Sequence, residues 1–267
     1  MQKNKTKNIK KRPVKKHYLR KTLAVIVIAG VVILLAFIGY FLWNSTHPLP
    51  ASTSGYEQIL SSNVVKVAET DSYYSITSTD RTIETTTGLV IYPGAFVEPK
   101  GYVASYAGLV TAKTSVFVLK SPLNFALLNT NQAEEVIRAY PNISTWYVAG
   151  HSLGGVAACS FAQTHQSQVS GLILLASYCN DSAINLSIPV MSISGSLDGL
   201  ATPAKITASK KDLPDNTVYD EIQGQNHTQF GSFARTQDGD NPASISQQQS
   251  IDQIQKAIQI LINRTRY

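Results

Sequence analysis

The chain has 267 residues, 43% of them hydrophobic and 15% charged, enough to bury one sizeable core. Its formal charge of +6 is uneven: ten of the 23 Lys and Arg lie between Lys3 and Lys21 and no acid precedes Glu57, so the remainder holds 13 bases against 17 acids. A basic run of this kind is a nucleic-acid tail in many proteins, but the apolar segment next to it argues against that use here.

Directly after the bases, Leu23 to Trp43 (LAVIVIAGVVILLAFIGYFLW) is uncharged and long enough to cross the hydrocarbon core of a membrane as a helix. A core helix of a soluble protein would need a polar face that this run lacks. A cleavable signal peptide starts in the same way, but this run is longer than a usual signal core and Ser45 to Ser54 offers no A-x-A site. The reading is a basic cytoplasmic tail (1–22), an uncleaved signal anchor (23–43) and a body outside the cytoplasm, with Tyr40, Phe41 and Trp43 at the far interface. The bases orient the anchor and meet anionic lipid, so the membrane is an expected partner and nucleic acid is not. Residues 44–55, NSTHPLPASTSG, read as a linker, and 56–267 as the folded domain.

Beyond the linker the chain alternates. Val64 to Glu69 and Tyr73 to Ser78 read as an opening pair of strands. Continuous apolar runs come next at Leu89 to Tyr92, Val116 to Leu119, Trp146 to Ala149, Leu172 to Ala176 and Val190 to Ile193, each typical of a strand buried on both faces, and a last strand is expected at Thr217 to Ile222. Helical segments separate them at Pro99 to Leu109, Asn131 to Tyr140, Leu153 to His165 and Pro203 to Lys211. A closing helix from about Ile245 aligns Ile251, Ile254, Ile258, Leu261 and Ile262 on one stripe. Strand and helix in alternation predict an α/β domain, a mostly parallel sheet of about eight strands with helices on both faces.

Cys159 and Cys179 admit two readings, one bridge or two small buried apolar residues; the second is preferred because buried free cysteine is common. No C-x-x-C and no Cys/His cluster has metal-ligand spacing, so neither a metal nor a cofactor is expected.

The stretch VAGHSLGG, Val148 to Gly155, fits G-x-S-x-G, a pattern too short to mean much alone. Its context gives it meaning, because an apolar strand runs into Ser152 and a helix runs out of it, the arrangement of a nucleophile elbow. Side chains at Gly150 or Gly154 would collide with backbone in such a turn. A serine needs a base, and the base an orienting acid, which in this arrangement come in the order Ser, Asp or Glu, His on loops after later strands. Asp198, in SGSLDGLATP, comes after one such strand, and His227, in QGQNHTQFG, after the last. Asp181 is the rival acid, set aside by strand order. The other histidines fall in the tail (His17), the linker (His47), the elbow (His151) and a helix end (His165). The oxyanion donors are expected to be the backbone N–H of Leu153 and that of Ala95 in YPGAFVEP, with Phe96 as the alternative. Phe96, Leu123, Phe125 and Leu128 read equally as acyl-pocket lining or core, and Glu98 as a helix-start acid.

GHSLGG, SLDGLATP and GQNHTQFG, in this order, resemble the α/β-hydrolase superfamily, and within it the small cap-less bacterial branch related to dienelactone hydrolases. The likeness covers about Val64 to Asn263. It implies a serine hydrolase with Ser152 as nucleophile, His227 as base then acid and Asp198 orienting it. Dienelactone hydrolases use a cysteine where this chain has Ser152, so their substrate does not carry over. The short stretch between Ser177 and Ile188 leaves no room for a lid.

The expected activity is cleavage of a carboxylic ester or related acyl bond through an acyl-serine. The substrate would be a small molecule or a lipid or envelope component. An acyltransferase acting on envelope polymers and an inactive surface-binding module are the alternatives.

Overall fold

The computed structural model describes residues 15–80, 82–111 and 113–264. Two compact units make up the chain, 1–44 and 45–267. The first is dominated by helix α1 (Lys15–Thr46), whose apolar side chains from Leu23 to Tyr40 lie exposed. Its segment Lys21–Thr46, 26 residues containing an 18-residue stretch with a mean hydropathy of 3.0, is long and apolar enough to cross a membrane. At 1.5 Å per residue it spans about 39 Å, against about 30 Å of hydrocarbon. Residues 1–14 of the basic tail lie outside the described residues.

The second unit holds an eight-stranded sheet: β1 (Val65–Glu69), β2 (Tyr73–Ser78), β3 (Thr87–Tyr92), β4 (Thr114–Leu119), β5 (Thr145–His151), β6 (Gly171–Leu175), β7 (Val190–Gly195) and β8 (Val218–Ile222). Their spatial order is β1-β2-β4-β3-β5-β6-β7-β8. The opening pair is antiparallel and β2 is antiparallel to β4; every later pairing is parallel.

Register explains why the central strands are apolar throughout. One row across five strands, Phe117, Val90, Val148, Leu172 and Val190, points into one core; the next row, Val118, Ile91, Ala149, Ile173 and Met191, points into the other. A slip of one residue would exchange the two sets, and both faces are covered, so each residue must be apolar. Helices α4 (Ala133–Ala139) and α5 (Leu153–Thr164) cover the first row. Helices α3 (Lys100–Tyr106), α6 (Pro203–Ser209) and α7 (Gln247–Arg264) cover the second. In α7 the buried residues Ile254, Ile258, Leu261 and Ile262 keep helical spacing, so the stripe expected there meets the core.

Two sequence expectations need correction. Residues 44–55 are not a free linker. Leu49 N–H donates to Phe96 O (2.8 Å) and Leu49 O accepts from Glu98 N–H (2.9 Å), while Ser52 N–H donates to Ser232 O and Ala234 N–H to Pro50 O. The Leu49 side chain is buried, and a further helix, α2 (Thr53–Leu60), begins inside the supposed linker. The Pro-Leu-Pro sequence explains the strap, because a residue before proline is pushed to extended backbone, which can pair with a neighbouring segment. Cys159 and Cys179 are joined in a disulfide rather than left as free thiols. Cys159 lies on α5 after β5 and Cys179 just beyond β6. Since β5 and β6 are neighbours, the two Cα atoms come to 5.6 Å, within bridging range.

Candidate active site

The sequence-predicted catalytic and oxyanion residues follow the carboxyl ends of β3, β5, β7 and β8, while Leu123 and Phe125 follow β4. Chain order along the sheet reverses between β3 and β5, where a crevice forms in open α/β sheets. Ser152 sits between β5 and α5 at φ 53° and ψ −127°, a left-handed backbone that a serine adopts only under strain. The turn is compressed against its surroundings. A Cβ on Gly150 would come within 2.2 Å of Gly154 O, and one on Gly154 within 2.2 Å of Pro93 O. Only glycine fits at either place. Leu153 is the first residue of α5, so its amide is one of those the helix leaves unpaired, pointing with the positive end of the helix toward the serine.

Asp198 lies just past β7 and is buried. Its Oδ1 accepts from Leu200 N–H (2.8 Å) and Ala201 N–H (2.7 Å), and its Oδ2 lies 2.8 Å from His227 Nδ1. The carboxylate is thus fixed in rotation by two amides and presents its remaining oxygen to the histidine. Asp181, the rival acid, is exposed on the loop after β6. His227 is buried as well, and its Nε2 has no hydrogen-bond partner among the described residues. The ring lies against His151, the residue preceding Ser152, with centroids 4.4 Å apart.

In the turn after β3 the donors can be accounted for one by one. Pro93 has no N–H, Gly94 N–H donates to Tyr102 Oη (2.9 Å) and Phe96 N–H donates to Asn124 O (2.8 Å). Ala95 alone in this turn keeps an amide without a described partner, which favours it over Phe96 as an anion donor. Phe96 (φ 58°) instead stacks on Phe125, with centroids 5.5 Å apart.

Two cavities meet at the start of α5. One, of about 110 Å³, is lined by Ser152 together with Leu153, Ala176, Tyr178, Leu200 and Ala201. The other, of about 390 Å³, shares Leu153, Val156 and Tyr178 with it and runs on to Leu127, Thr130, Asn180 and Asp181. Leu123 and Leu128 lie outside both, about half exposed. The disulfide ties the Tyr178 to Asp181 wall of these cavities to α5.

Three contributors have no motif in the sequence. Asp240 accepts from Gly199 N–H (3.0 Å), His227 N–H (3.2 Å) and Thr228 N–H (2.8 Å), which locks the loop of Asp198 to the loop of His227. His151 is buried with Nδ1 2.7 Å from Tyr102 Oη. Burial, and secondarily the nearby His227, hold its imidazole well below the usual histidine range, with the His227 backbone acting weakly in the other sense. Burial likewise pushes the Tyr102 phenol up. No group of three or more metal-ligating side chains occurs among the described residues.

The family model "Alpha/beta hydrolase family" matches residues 88–252. Among solved structures, a thermophilic esterase from Thermogutta terrifontis, with malate bound, is similar in fold, at a TM-score of 0.55 and 11% identity over 75% of this chain and 94% of that one. No curated protein matches the chain in sequence. The chain belongs to the alpha/beta hydrolase family.

Proposed function

We propose that this hydrolase is a serine esterase, held at the outer face of the cytoplasmic membrane by α1, that cleaves a carboxylic ester through an acyl-serine. The observation that carries the reading is the Asp198–His227 pair at 2.8 Å, set beside the strained turn of Ser152. With Nδ1–H donated to the carboxylate, the neutral ring has its lone pair on Nε2, the buried nitrogen with no described partner.

In the proposed cycle Ser152 Oγ attacks the ester carbonyl carbon as its proton passes to His227 Nε2. The oxyanion is held by the amides of Leu153 and Ala95. Collapse breaks the carbon–oxygen bond to the alcohol, which leaves with the proton from His227. Water then attacks the acyl-serine, giving a proton to His227; the carbon–oxygen bond to Ser152 breaks as His227 returns that proton to Ser152 Oγ, and the acid leaves. Asp198 keeps the ring in one tautomer and stabilises the imidazolium.

Three observations support the location. Lys3 to Lys21 puts ten bases before the apolar run, which favours a cytoplasmic N-terminus. The apolar helix is long enough to span. The Cys159–Cys179 disulfide suits an oxidising compartment. Kinship with the cap-less dienelactone-hydrolase branch is supported by the GHSLGG and GQNHTQFG motifs.

The test uses the full-length protein in detergent, treated with a fluorophosphonate beside a Ser152→Ala variant. The expected result is a single adduct on Ser152, and at least about a thousandfold loss of p-nitrophenyl acetate hydrolysis in the variant at unchanged melting temperature. Absence of labelling on folded wild-type protein would sink the proposal.

A further inference from the structure

Two buried groups beside the serine, His151 and Tyr102, have no task in the acyl chemistry of Ser152, His227 and Asp198. The Tyr102 ring is packed between Tyr106, stacked at 6.3 Å, and Phe233, edge-on at 5.7 Å. Its hydroxyl has two partners, Gly94 N–H at 2.9 Å and His151 Nδ1 at 2.7 Å. The Gly94 amide can only donate, so the phenol oxygen accepts from it, and the second bond joins the phenol to the His151 ring.

This one hydroxyl touches both halves of the site. Gly94 adjoins Ala95, the amide left over in the turn after β3. His151 adjoins Ser152 and faces the His227 ring at 4.4 Å, with Phe230 stacked on it at 5.5 Å. We propose that Tyr102 is a positioning residue for acyl transfer, its hydroxyl setting the oxyanion turn through Gly94 and the orientation of the His151 ring together. The proposal rests on the serine-hydrolase reading. It has two consequences for the reaction. The Ala95 amide is held at one distance from the serine, where a misplacement of an ångström would weaken the transition state more than the ground state. The His151 ring is held in one position against the His227 ring while His227 takes up the serine proton.

Tyr102→Phe in the full-length protein keeps the ring and its packing and removes only the oxygen. The expected result for p-nitrophenyl acetate is a fall in kcat on the order of a hundredfold with KM within about twofold, and fluorophosphonate labelling of Ser152 slowed in parallel. His151→Phe, which deletes the phenol's partner, is expected to behave alike. His151→Asn, whose side-chain amide can pair with the phenol, is expected to recover most of kcat. Wild-type kcat in Tyr102→Phe would overturn the proposal, and so would equal losses in His151→Asn and His151→Phe, which would reduce the pair to packing. If Tyr102→Phe does not fold, the two His151 variants decide the matter by themselves. Wild-type protein that folds but does not label would overturn this proposal and the hydrolase reading together, whereas labelling with an indifferent Tyr102→Phe overturns this one alone.

Discussion

Single residues at this site bear constraints that oppose stability, and they show it in different ways. Ser152 holds a backbone angle of φ 53°, a strain of about 1–3 kcal/mol that the surrounding turn must offset. His151 shows its constraint in pH. Its imidazole is buried and held well below its usual value of 6.5, so below about pH 6.5 the unfolded chain binds a proton there that the folded chain does not. Unfolding then takes up protons, and stability falls as pH falls through that window. The expected outcome is a decline in unfolding free energy between about pH 7.5 and 5.5, reaching at most about 1.4 kcal/mol per pH unit from this one group, with a shallower decline in His151→Asn. Urea titrations at four or five pH values would check it, in a range above most carboxylate titration. A decline of equal steepness in the variant would mean that another group is responsible.

At the scale of elements, the strands that the apolar runs predict are the strands that form, because a segment buried on both faces has no alternative to continuous apolarity. Helix boundaries were less legible: α4 starts at Ala133 rather than Asn131, since a turn precedes it. The elbow, Asp198 and His227 were legible because each sits at the end of a readable strand. Asp240, Tyr102 and His151 were not, because their roles depend on loops and helices meeting across 12 to 49 residues of chain, and no local pattern marks such a meeting. The disulfide belongs with these, since two cysteines twenty residues apart look the same in sequence whether bridged or not. Closing a loop of that length is worth about 3 kcal/mol in chain entropy. Replacing both cysteines by alanine is therefore expected to lower unfolding free energy by about 2–4 kcal/mol, measured by denaturant titration, and to loosen the Tyr178 to Asp181 wall as seen by faster amide exchange there. An unchanged midpoint would show that the loop is held by its packing alone.

The whole molecule joins a helix apolar on every side to a domain whose charge is net acidic, and the anchor reading makes a plain prediction about it. The full-length chain is expected to stay in the membrane pellet through alkaline carbonate washing, while a version lacking residues 1–44 is expected in the supernatant. Release of the full-length chain by carbonate would leave the helix without a membrane role. The strap from Leu49 to Ser52 gives this arrangement a further meaning, since it clips together the segments at Phe96 to Glu98 and Ser232 to Ala234 beside the proposed site. Where the tether is cut then matters. A protease acting ahead of Ser45 would shed an intact enzyme into the surroundings, whereas one acting at Gly55 would shed a domain with that seam undone, so the position of a single cleavage would decide between release and inactivation.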